Sequence, residues 1–106
     1  MNDEYDELLS SYYGDDAVRS MIGIKVETQK VDEIAEKISD FPQIIDLYLV
    51  TGDVDMLVKA AFRDYASFRD FVINTLPSIE GIKETKTFMV VTVYKEGGQK
   101  NIVKEE

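Results

Sequence analysis

The sequence predicts an α+β fold in which two β-α-β units interleave their strands into one four-stranded antiparallel sheet, with both helices on the same face. Three observations predict it. Apolar residues alternate in four segments and recur at helical spacing in two others. Those segments follow in the order β-α-β-β-α-β. The two halves also echo each other at an offset of 35 residues, which aligns Phe41-Pro42-Gln43-Ile44 with Leu76-Pro77-Ser78-Ile79.

Each element has a local reason. Over residues 21–27, Ile22, Ile24 and Val26 alternate with other residues, the period of a strand. In 31–39, Val31, Ile34, Ala35 and Ile38 lie on one helical face, and Asp32 and Glu33 stand in the first turn, where the helix dipole favours carboxylates. Phe41-Pro42 ends that helix, because a residue before proline avoids the helical region. A second strand is expected over 44–51, with Ile45, Leu47 and Leu49 facing one way and Asp46, Tyr48 and Val50 the other. Gly52-Asp53 supplies the turn. The third strand, 54–62, puts Val54, Met56, Val58, Ala60 and Phe62 on one side. Asp64 stands where an N-cap belongs, ahead of a helix carrying Tyr65, Phe68, Phe71 and Val72 that Leu76-Pro77 closes. After a turn at Gly81, the β-branched run 85–94 reads as the last strand. Right-handed crossovers then give the ferredoxin-like sandwich. Apolar residues on the side of the sheet away from the helices predict a covering partner, hence two sheets stacked face to face in a homodimer, the dimeric α/β barrel arrangement.

Composition narrows the function. The 106 residues suit one domain and one core. Twelve basic against 21 acidic residues leave a net charge of −9, which repels a phosphate backbone and argues against direct nucleic-acid binding. No Cys and no His are present, so disulfides, thiol catalysis and Cys- or His-based metal sites are excluded and the commonest general base is missing; no cofactor is implied. The apolar runs are too short to cross a membrane and the acidic N-terminus does not resemble a signal peptide, so a cytoplasmic protein is expected. The charge is uneven. Residues 1–19 hold six acids and one base, whereas 20–95 are nearly balanced with 12 acids and nine bases. We therefore divide the chain into an acidic arm over 1–20, whose Tyr5, Leu8, Leu9, Tyr12 and Tyr13 suit an amphipathic helix or a frayed end, a ferredoxin-like domain over 21–95, and a flexible tail over 96–106.

Few residues suggest chemistry. Asp53 and Asp55 follow Gly52 closely, and paired carboxylates can do acid–base work or hold a cation. A hairpin turn uses the same residues for their backbone angles alone. Thr85 and Thr87, two apart on a strand, face one way and could help hold an ammonium and a carboxylate; β-propensity explains them equally well.

The run from Ile44 to Val58, with Val50, Thr51, Gly52 and Asp55 matching a Val-Thr-Gly-x-x-Asp turn, resembles the effector-binding domain of Lrp/AsnC (feast/famine) transcriptional regulators. The later residues Leu76, Ile79, Gly81, Ile82, Thr85 and Thr87 are similar to that family's ending, so the likeness spans residues 21–94. The resemblance implies an amino-acid effector bound in clefts between dimers that assemble into an octamer or decamer ring. It implies a ligand site of Thr51, Gly52, Asp53 and Asp55 from one chain, with Thr85 and Thr87 from a neighbouring strand and Tyr48 touching the ligand's side chain. Lys86, between the threonines, is expected to point away from them. The family's regulators carry an N-terminal helix-turn-helix, which residues 1–20 are too few to supply, so the chain resembles a stand-alone effector (RAM) domain that would act by co-assembly with a full-length Lrp/AsnC regulator. Two other readings share the topology: an ACT-like regulatory module of a metabolic enzyme, and a small dimeric α+β barrel enzyme, which the lack of His disfavours.

Overall fold

The computed structural model describes residues 17–100. The acidic arm and its expected helix lie outside these residues, apart from the last few positions. Six elements build the domain: β1 (Val18–Val26), α1 (Val31–Ser39), β2 (Ile44–Leu49), β3 (Met56–Phe62), α2 (Tyr65–Asp70) and β4 (Ile82–Met89). The strands form one antiparallel sheet in the order β2-β3-β1-β4, the interleaved ferredoxin-like topology. A hairpin follows, β5 (Lys95–Glu96) and β6 (Gln99–Lys100), which makes a separate two-stranded ribbon.

The helices sit where the periodicity puts them. α1 has the expected limits and buries Ile34 and Ile38. The Asp64 carboxylate caps α2 by accepting from the backbone N–H of Ser67 at 2.8 Å. The winding then loosens through one π-type stretch over Phe71–Thr75 and tightens over Leu76–Ser78. The echo between the halves is geometric too. Ile44 donates to the Phe41 carbonyl at 3.0 Å, and Ile79 donates to the Leu76 carbonyl at 3.2 Å.

Both helices close over one face of the sheet. Ile22, Ile24, Met56, Val58, Ala60 and Phe62 are buried there against Ile34, Ile38, Phe68, Phe71 and Leu76. Phe62 anchors the layer, with its ring 5.5 Å from Phe68 and 5.4 Å from Phe71.

Four expectations need correction. β1 starts at Val18, so the strand takes the last residues assigned to the arm. β4 ends at Met89 rather than continuing to residue 94: Ser20 pairs with Met89, the last bond is Val90 N–H to the Arg19 carbonyl, and from there the chain leaves the sheet edge to cross the open face, although β1 itself continues to Val18. In β2 the register slips between Ile44 and Asp46, so Ile44 packs on the core and Ile45 turns to the opposite face, instead of sharing one with Leu47 and Leu49. The tail read as flexible from residue 96 is a formed hairpin as far as Lys100. Gly97 and Gly98, with φ of +58° and +88°, supply its turn, close to the angles of a type I′ turn.

Candidate functional site

The β2–β3 turn holds four of the seven predicted site residues, Thr51, Gly52, Asp53 and Asp55. It is braced from within. Val50 N–H donates to the Asp55 carbonyl and Asp55 N–H to the Ile24 carbonyl, both at 2.9 Å. The Asp55 carboxylate accepts from the Val26 backbone N–H at 3.0 Å. One oxygen of Asp55 is thus used to tie the turn to the end of β1, a structural role that sequence reasoning missed. Its other oxygen keeps acceptor capacity. Gly52 has φ of +145°, a conformation other residues rarely adopt, and space around the missing side chain is open. Thr51, Gly52 and Asp53 are exposed.

Val54 corrects a further expectation. It does not join the Met56 and Val58 face. Its methyl lies 2.9 Å from where a Cβ on Gly23 would stand, and Gly23 alternates away from the buried Ile22 and Ile24. The turn therefore folds back over the open face, and Gly23 is there to receive Val54.

The remaining three residues lie elsewhere within one chain. Thr85 and Thr87 pair with Ile24 and Ile22, so both share the helix-covered face and are half-buried at the outer strand. Lys86, opposite Gly23, faces the other way, as expected. β1 separates these threonines from β3, a gap of roughly two strand spacings, about 10 Å. Tyr48 is exposed on the edge strand β2 beside a small cleft of about 120 Å³ that Val31, Leu47 and Met56 also line. A single chain thus presents the acidic turn and the threonine pair as two separate half-sites. Chemically, carboxylates at the turn suit a cation such as an ammonium, and the hydroxyls suit either charged end of a zwitterion.

The structure adds a second feature. The chain from Val90 to Gly97 crosses the open face and leaves a cleft of about 510 Å³ beneath it. Its polar centre is Glu96, whose two oxygens accept separately from Arg19 and from Lys59, each at 3.1 Å. Asp46 lies 3.9 Å from Lys59. The side chains of Glu96 and Arg19 are only 15% and 22% exposed, so this cluster is more strongly held than an ordinary surface pair. The Gly97-Gly98 dipeptide was the available signal, since Gly-Gly between short arms marks a hairpin.

On the helix side, Lys30 and Glu80 meet at 3.0 Å. The hydrogen bond and charge of each partner raise Lys30 above its ordinary pKa and lower Glu80. Asp64 is lowered by the Ser67 backbone hydrogen bond. Among the described residues no group of His, Cys, Asp and Glu gathers to hold a metal ion, and no helix is long and apolar enough to cross a membrane.

The strand order and the two covering helices define a ferredoxin-like α+β domain. The chain belongs to the Lrp/AsnC ligand binding domain family, whose profile matches residues 19–99. It is 37% identical over 79 residues to the HTH-type transcriptional regulator FL11 of Pyrococcus furiosus, covering 74% of this chain and 52% of that one. It is 31% identical over 74 residues to the Bkd operon transcriptional regulator of Pseudomonas aeruginosa, covering 67% of this chain and 48% of that one. The chain thus spans about half the length of the curated relatives it matches. Its fold is similar to that of Escherichia coli AsnC, with a TM-score of 0.73 at 21% identity over 81% of this chain and 58% of that one. A Neisseria meningitidis transcriptional regulator in complex with L-Met gives a TM-score of 0.71 at 23% identity, over 77% of this chain and 55% of that one.

Proposed function

We propose that this chain is an amino-acid-sensing and assembly module that modulates transcription through co-assembly with a helix-turn-helix regulator of the same family. Binding, not turnover, is its role. The observation that carries this reading is the separation of the two half-sites. The Thr51–Asp55 turn is held in shape by Asp55 yet exposed at its tip, while Thr85 and Thr87 lie two strands away. A zwitterion that needs both is bound only where chains meet, so ligand and assembly are coupled.

In this reading two copies stack their open sheet faces, the dimers close into a ring, and the effector sits in the cleft between dimers with its ammonium on Asp53 and Asp55. Tyr48 meets its side chain. The methionine complex of the Neisseria regulator supports the ligand class.

The test is thermal stability against each of the twenty amino acids, on protein of known native mass. A ligand at about 100 times its dissociation constant adds about 2.7 kcal/mol. One or a few amino acids are expected to raise the melting temperature of an oligomer. No response from any of them would overturn the sensing role.

A further inference from the structure

We propose that the C-terminal hairpin is exchanged between copies: residues 95–100 of one chain seat on Arg19 and Lys59 of the other, and the reverse. This rests on the reading that a second copy covers the open face.

Four observations lead here. First, the hairpin makes no ladder with the four-stranded sheet; it is a two-stranded ribbon of four strand residues, marginal by itself. Second, it is attached to the sheet through the Glu96 cluster, which a second copy's Arg19 and Lys59 would supply without change. Third, the space it spans is poorly filled. The cleft of about 510 Å³ is open to solvent and carries apolar groups on both walls, with Met21 and Ile45 on the sheet and Val93 and Tyr94 on the arm, that the single chain does not bring together. Fourth, the connection is exposed and irregular. Val91 is 93% exposed, and no strand forms between Met89 and Lys95.

Together these describe a hinge at residues 91–94 with a charged latch at its far end. The root stays at home, since Val90 is bonded to Arg19. Exchange of an identical element re-forms the same contacts in the partner and is a low-cost route to a dimer. When the arm comes from the facing copy, the two walls of the cleft belong to different chains and stacking the sheets closes the gap between them. Glu96 then becomes a determinant of which chains can pair, because a partner must offer both cations and a matching carboxylate.

The native chain has no Cys, so paired cysteines report cleanly. Met21→Cys and Lys95→Cys stand on opposite walls of the cleft and leave the ion cluster intact. A short bis-maleimide added to the double variant is expected to link two chains, as seen on a denaturing gel. Links within single chains, in a sample whose native mass is a dimer or larger, would overturn the exchange and leave the stacked dimer standing. A native mass of one chain would remove both. Co-expressed single variants guard against a misfolded double variant: a Met21→Cys chain linked to a Lys95→Cys chain supports the exchange, and unlinked chains in a dimer refute it. As a second measurement, Glu96→Gln is expected to weaken the dimer about tenfold, because each dimer carries the cluster twice. An unchanged dissociation constant would contradict the assignment.

Discussion

The two faces of the sheet are built from the same strands and differ by one residue of register. On the covered face, Ile22, Ile24, Val58 and Phe62 are fully buried under two helices, and Ser20 is the buried polar residue there. On the open face their immediate neighbours, Met21, Leu57 and Lys59, meet Tyr48, Lys86, Phe88 and the Arg19–Glu96 cluster. The first face is complete in one chain. The second mixes exposed aromatic and apolar groups with charges, and carries an arm that spans it without filling the space beneath. An antiparallel sheet with one wet face normally alternates cleanly between apolar and polar. One face is completed by the chain's own helices, and the other is left with exposed apolar and aromatic groups, where the proposed second copy would pack.

Substitutions on each face should therefore separate the two. Phe62→Ala, in the covered layer, is expected to cost about 3–5 kcal/mol of folding stability, read by denaturant melts. Phe88→Asp, on the open face, is expected to leave the fold intact and weaken association by about 2–4 kcal/mol, read by sedimentation. Equal effects of both on folding would erase the distinction. At the turn, Asp55→Asn keeps an acceptor for Val26 N–H but loses the charge. It should weaken amino-acid binding by about 1.5–3 kcal/mol with little change in melting temperature, whereas unaltered binding would confine Asp55 to its structural role. Gly23→Ala pushes a methyl into Val54 and should cost about 1 kcal/mol while displacing the turn, visible as weaker ligand binding.

The smallest effect belongs to the α2 cap. Asp64 has a lowered folded-state pKa, so its contribution is present above the unfolded value and is lost as pH falls through the folded one. Asn is also a good N-cap and does not titrate. Asp64→Asn should thus lose less stability than the parent between about pH 5 and pH 3, measured by acid melts. A parallel decline would contradict the role of the carboxylate.

Much of the fold was legible because it depends on local pattern. Val31, Ile34, Ala35 and Ile38 mark α1 by their spacing, and Asp64 marks the start of α2. What was missed depends on partners distant in sequence. The β-branched run continues past Met89, but the chain leaves the edge of β1 there and crosses to Arg19 and Lys59, contacts that the run itself does not encode. The slip at Ile45 is a property of register between β2 and β3 and leaves no trace in alternation. The site shows the same division. The turn residues were found by motif and are adjacent in space, whereas the bond from Val26 to Asp55 and the seating of Val54 on Gly23 join segments about 30 residues apart. Glu96 lies 77 positions from Arg19, beyond the reach of any local rule.

The measurement that bears most directly on the incomplete open face is sedimentation of the unmodified protein across micromolar concentrations. The account predicts a dimer or a larger assembly of dimers throughout. A single 12.1 kDa chain at every concentration would contradict it, and would mean that the open face is finished without a second copy.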